Sequence, residues 1–187
     1  MIATLRNAYV TTFSRVENAT SQWLPGLLIR FAFAAVLLVY YLNSFSTKIG
    51  AGPLGLFMIS PNAYYQIVPP VIEAAGFDVA QVPLFWKLVV ALGTYAEALL
   101  PILIVVGFAT RLAALGMIGF ITVQTVVDVF IHMIGPEATG AWFDRFSDAA
   151  ILDQRLLWIT LLALLAILGP GKFSADALLG RRFAATA

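Results

Sequence analysis

Four long apolar runs constrain this chain more than any other feature. They cover residues 24–45, 84–106, 112–134 and 150–168. At 1.5 Å of rise per residue, about 20 apolar residues in a helix cross the hydrocarbon core of a bilayer. Hydrophobic residues make up 61% of the chain and charged residues 11%, against about 25% charged in an average soluble domain. So few charges could not cover so much apolar surface in water, whereas lipid covers it directly. The sequence therefore predicts an all-α fold: an integral membrane four-helix bundle formed as a single membrane domain over residues 1–187.

The segments between the runs carry their own signals. Ile2, Leu5, Tyr9, Phe13 and Val16 recur at three- and four-residue spacing in residues 1–22, which predicts an interfacial helix lying on the membrane surface. This arm lacks the apolar core of a cleavable signal, so the first membrane helix is expected to act as the targeting signal. Gly107-Phe108-Ala109-Thr110-Arg111 is short enough to make the second and third helices an antiparallel pair. Residues 47–83 form a long outer loop rich in Pro, Gly and aromatics, expected to hold short interfacial helices. Gly169-Pro170-Gly171 stops the fourth helix and begins a tail over 169–187. Arg6, Arg15, Arg111, Lys172, Arg181 and Arg182 fall on one side, against Lys48, Lys87, Arg145 and Arg155 on the other. That bias places both termini in the cytoplasm of a multi-pass protein.

Charges inside the membrane are costly and call for partners. Arg30 and Glu97 lie at similar expected depth, with Arg111 beginning the third helix nearby. The three are expected to form a structural charge pair with a supporting second cation. Gln124, Asp128 and His132 repeat every four residues, as one polar stripe on a helix. Arg155 enters the fourth helix at similar depth, and Asp128 can hold either the His132 ring or Arg155. A histidine beside a carboxylate suits proton transfer near neutral pH, so Asp128, His132 and Arg155 are the catalytic candidates. Gln124 and the Tyr95 hydroxyl are candidates for contacting a bound molecule. The structural alternative for both clusters is that they fix helix register.

The composition also bounds function. With no cysteine and one histidine, disulfides, thiolate metal sites, iron–sulfur clusters and bis-histidine haem are excluded within one chain. No metal site and no intrinsic cofactor are expected, and a net charge of +1 gives no reason to expect nucleic acid.

Three segments carry a family resemblance. They are Tyr95-Ala96-Glu97-Ala98-Leu99-Leu100-Pro101, then Gly107-Phe108-Ala109-Thr110-Arg111, then Gly169-Pro170-Gly171-Lys172-Phe173-Ser174-Ala175-Asp176. Together they resemble the DoxX family of bacterial four-helix membrane proteins. Where many relatives carry a His-Gly pair late in helix one, this chain has Tyr40-Tyr41. The resemblance implies a bacterial inner-membrane protein. Relatives include the membrane subunit of thiosulfate:quinone oxidoreductase, and others are linked to oxidative-stress complexes. The expected function is thus a membrane subunit of a redox system linked to the quinone pool, with quinone as its ligand. Electrons would come from a soluble or membrane partner subunit, and homo-oligomers are allowed. The alternatives are a non-enzymatic scaffold or chaperone for a partner complex, or a small-molecule or ion transporter. On the bare residues, Thr110 is a candidate helix cap, and Ser174 a cap for a tail helix with Asp176 in its first turn.

Overall fold

The computed structural model describes residues 1–185, with side chains through residue 180. The side chains of Arg181 and Arg182, and the last two residues of the expected tail, lie outside the described residues. The described chain is helical, with an isolated bridge between Ile49 and Ile59.

Helix α1 (Ile2–Thr20) carries no buried residue. Helix α2 (Leu24–Ser46) follows at once and is the first of three helices long and apolar enough to cross a membrane. The 47–83 loop folds into short helices, chiefly α3 (Pro61–Ile67) and α4 (Pro69–Ala74). Helices α5 (Leu84–Val106) and α6 (Thr110–Ile131) are the other two candidate spans. After the one-turn α7 (Pro136–Thr139) comes α8 (Leu152–Leu168), then the tail helix α9 (Ala175–Ala185). With 17 residues, α8 is about 25 Å long, shorter than the other three.

Helices α2, α5, α6 and α8 close into a ring in which each packs against the next. The ring forms because α2 puts Ile29, Phe33, Leu37 and Tyr41 on one stripe, four residues apart. Ala113, Ala114, Met117 and Ile121 of α6 meet that stripe, as do Leu162 and Leu165 of α8. The alanines let backbones approach closely, as membrane helix contacts favour. The opposite faces stay apolar and exposed, with Phe31, Val39, Leu112 and Ile167 pointing outward. A soluble protein would not leave such a surface bare. At the far end, Ala63, Tyr64, Val68 and Ile72 of the loop pack with Val82 and Val90 into a second small core.

Two of the ring helices contain a π turn, at Ala34–Leu38 in α2 and Val127–Ile131 in α6. Each widens the helix by one residue; the first lies midway along α2 and the second at the loop end of α6.

The other end is the turn end, where α2 begins, α5 turns into α6, and α8 stops. Gly107 adopts a left-handed conformation with φ 76°. A Cβ there would lie 2.7 Å from Ser174 Cβ and 2.9 Å from Arg30 Cζ, so only glycine fits. Arg30 fills this corner. Its Nε donates to the carbonyls of Ile104 and Val105, and its Nη1 to Phe173 at 2.6 Å. These include carbonyls in the last turn of α5, which lack partners within their own helix and carry its negative dipole end.

The expected Arg30–Glu97 pair therefore does not form. Side chains lean toward the N-terminus of their helix. Arg30 on α2 leans toward the turn end, while Glu97 on antiparallel α5 leans toward the loop end. Matched depth was not enough, because the two side chains diverge. Arg111 sits against Gly169, its Nη2 3.4 Å from where a Cβ would be.

Thr110 is the first residue of α6, not its side-chain cap. The cap comes from the tail: Asp176 accepts from the backbone N–H of Ala109 (2.7 Å) and Thr110 (2.9 Å) and from the Thr110 hydroxyl (2.8 Å). Ser174 caps α9 by accepting from Ala177 N–H at 3.1 Å, as the sequence predicts. Burial pushes the Asp176 carboxyl up, but the Thr110 and Ala109 hydrogen bonds and the Arg30 charge outweigh it and hold it below the usual range. A carboxylate with a lowered folded-state pKa stabilises fully above its unfolded value of about 4, and that stabilisation is lost as pH falls through the folded value. Asp176→Ala is expected to cost about 1–2 kcal/mol at neutral pH. The gap to wild type should close as pH falls below 4. Thermal unfolding in detergent across that window measures it, and a gap independent of pH would contradict the cap.

Candidate functional site

At the loop end the ring does not close tightly. A cavity of about 760 Å³ lies among α2, α5, α6 and α8, roofed by the 47–83 loop. Two ion pairs among the described residues line it.

The first pair joins Lys48 Nζ to Glu97 Oε2 at 2.9 Å, with both side chains buried. Lys48 follows the end of α2 and turns back into the bundle. There it also donates to the Ser44 hydroxyl (2.7 Å) and carbonyl (3.3 Å). Lys48 is not legible as a site residue from sequence position alone, because it lies past the end of the first apolar run, among the loop charges that bear on orientation. The signal was available: Glu97 leans toward the loop end, where Lys48 is the cation just past α2.

The second pair joins Asp128 to Arg155. Arg155 Nη1 also donates to Thr125 Oγ1 at 3.0 Å. Its Nε, buried in a residue only 5% exposed, has no hydrogen-bond partner among the described residues. An unused buried donor costs about 1–3 kcal/mol.

Of the expected Asp128 alternatives, the Arg155 pair forms and the His132 contact does not. The π turn is the reason: the His132 N–H donates five residues back to Val127, so the four-residue register fails there. His132 lies at the exposed rim, its Nε2 3.1 Å from the Gln66 carbonyl of α3. A carbonyl only accepts, so Nε2 carries the proton, leaving Nδ1 as acceptor in the neutral ring.

Gln124 also lines the cavity. It accepts from the Tyr41 hydroxyl at 3.2 Å and donates to the Tyr40 hydroxyl at 3.1 Å. Tyr40 and Trp158 face each other with ring centroids 5.9 Å apart, and both line the cavity. Tyr95 does not take the expected place. It is partly exposed on the outside of α5, donates to the Leu56 carbonyl at 2.8 Å, and is not a lining residue. Gln124, Asp128 and His132 all line the cavity, with His132 at its rim, and Lys48, Glu97 and Arg155 join them there.

The charges in this set balance, two cations against two carboxylates. A bound phosphate or carboxylate would add an uncompensated charge at low dielectric. A neutral ring with carbonyl or hydroxyl groups would not. Below the polar groups the bundle is sealed: Phe33, Leu37, Ile104, Met117, Ile121 and Leu162 are fully buried. Among the described residues, no three His, Cys, Asp or Glu come together to hold a metal ion.

No protein-family model matches the chain, and no curated protein or solved structure matches it.

Proposed function

We propose that this chain is a DoxX-like protein of the bacterial inner membrane that binds a quinone in the loop-end cavity, as the membrane subunit of a redox system. The observation that carries this reading is the cavity itself: a charge-balanced polar head region continuous with an apolar crevice, in a protein with an apolar outer surface. A quinone has that same division, with a neutral ring bearing two carbonyl oxygens and an apolar tail. Two electrons from a partner subunit and two protons reduce each quinone to the quinol. Arg155, through its unused Nε, is the donor able to face a ring oxygen, since Lys48 already donates to Glu97 and twice to Ser44, and His132 at the rim passes protons in from the loop side. The sealed turn half weighs against a transporter, because it leaves no continuous polar path through the bundle.

In this reading α8 crosses the bilayer as the fourth span, α1 lies on the cytoplasmic membrane surface, and both termini are cytoplasmic. A chain without cysteine suits single-cysteine labelling. Asn7→Cys should label from the cytoplasmic side and Phe57→Cys from the opposite side. Labelling of both from one side would contradict the topology.

Trp158 supplies the functional test, since a quinone in the cavity would quench its fluorescence. Titration of the purified protein with quinone should give saturable quenching that is lost in Trp158→Phe. Quenching that never saturates would contradict the proposal.

A further inference from the structure

Resting on the cavity as a quinone site, we infer that the ligand enters sideways from the bilayer between α5 and α6, its tail lying over Gly116 and Gly119. The cavity is one continuous space running from Lys48 and His132 at the loop end down to Leu100 and Gly116. Its charged and amide groups all lie toward the loop end. The remainder of the α5–α6 wall is apolar and includes Leu92, Ala96, Leu100, Gly116, Gly119 and Val123.

Leu92 and Val123 are 73% and 65% exposed on the outer surface of the bundle, yet both line the cavity. The wall is therefore open between them, at the face where lipid chains lie. A Cβ added at Gly119 meets nothing within 4 Å, whereas one at Gly116 would come 3.2 Å from Leu100 Cδ2. Gly119 thus leaves open a gap that most side chains would fill. From Gly116 to Gln124 the helix rises about 12 Å, which is the length of tail the crevice accommodates. The buried, unused Nε of Arg155 on the cavity wall independently points to a ligand with an acceptor at the head end.

Lipid chains are as apolar as leucine, so the tail gains little by moving from bilayer to crevice. Its role is delivery: a tailed quinone dissolves in the membrane and needs the side opening. A tail-less quinone reaches the head region through the rim at His132 and Gln154, both exposed.

The test compares a benzoquinone bearing two isoprene units with its tail-less parent, using Trp158 quenching in lipid nanodiscs. Gly119→Leu should weaken the tailed quinone by about tenfold or more and leave the tail-less one within about twofold, since the leucine blocks only the crevice. Val123→Phe, on the exposed lip of the opening, should act the same way without adding a second fluorophore, and covers the case where Gly119→Leu fails to fold. Unchanged affinity for the tailed quinone in a folded variant would overturn the side entrance alone. Equal loss of both quinones would also overturn it, placing the leucine in the head region. Failure of the wild type to bind either quinone would overturn the quinone reading and the entrance with it.

Discussion

Glu97→Gln is expected to destabilise the folded protein by about 3–5 kcal/mol, because it leaves Lys48 buried without its counter-ion. The pair is 2.9 Å apart with both side chains under 10% exposed, so neither charge has water to fall back on. Removing both charges is a different matter. Lys48→Met with Glu97→Gln should recover most of the loss, since a buried ion pair replaced by neutral groups often costs little. The double-mutant cycle, read from unfolding in detergent, should give a large coupling energy between positions 48 and 97. The same cycle between positions 30 and 97 should be additive, because Arg30 holds the carbonyl end of α5. Coupling in the second cycle and none in the first would restore the pairing that residue depth suggested.

The second large effect is expected at Arg155, and it separates binding from packing. Arg155→Lys keeps a cation beside Asp128 and removes Nε. Quinone affinity should fall by about 10- to 100-fold, the worth of one hydrogen bond from a charged donor. Folded yield should stay near wild type. Arg155→Gln also leaves Asp128 without its cation and should lose stability as well. His132→Ala should change affinity by less than about threefold, because the ring sits at the rim, but should slow quinone-coupled proton uptake. Equal effects on stability and binding across the series would make Arg155 a register-fixing residue only.

What was legible in the sequence follows from which physical signal each feature uses. The limits of α5 were readable because an apolar run ending in glycine marks both span and stop. The loop helices were announced by Pro61 and Pro69, which start helices well. The cap at Ser174 needed only local chemistry. The π turns were not legible, since nothing in Ala34–Leu38 or Val127–Ile131 distinguishes them from ordinary helix. The Asp128–His132 contact failed for that reason. Arg30 and Glu97 were mismatched because depth along a helix was weighed and the direction in which each side chain leans was not. Asp176 was seen as belonging to its own helix, yet it caps α6 across a long sequence separation. Tyr95 faces outward because α5 already spends its inward face on Thr94 and Glu97, both buried.

The most direct measurement is photoaffinity labelling with an azido-quinone in nanodiscs, read by mass spectrometry of the labelled peptides. Label is expected on α5 between Leu92 and Leu100, on α6 between Gly116 and Asp128, and at Trp158, with excess unlabelled quinone protecting all three. Label confined to the outward faces of α2 and α8, at residues such as Val39 and Ile167, with no protection by excess quinone, would contradict the quinone site.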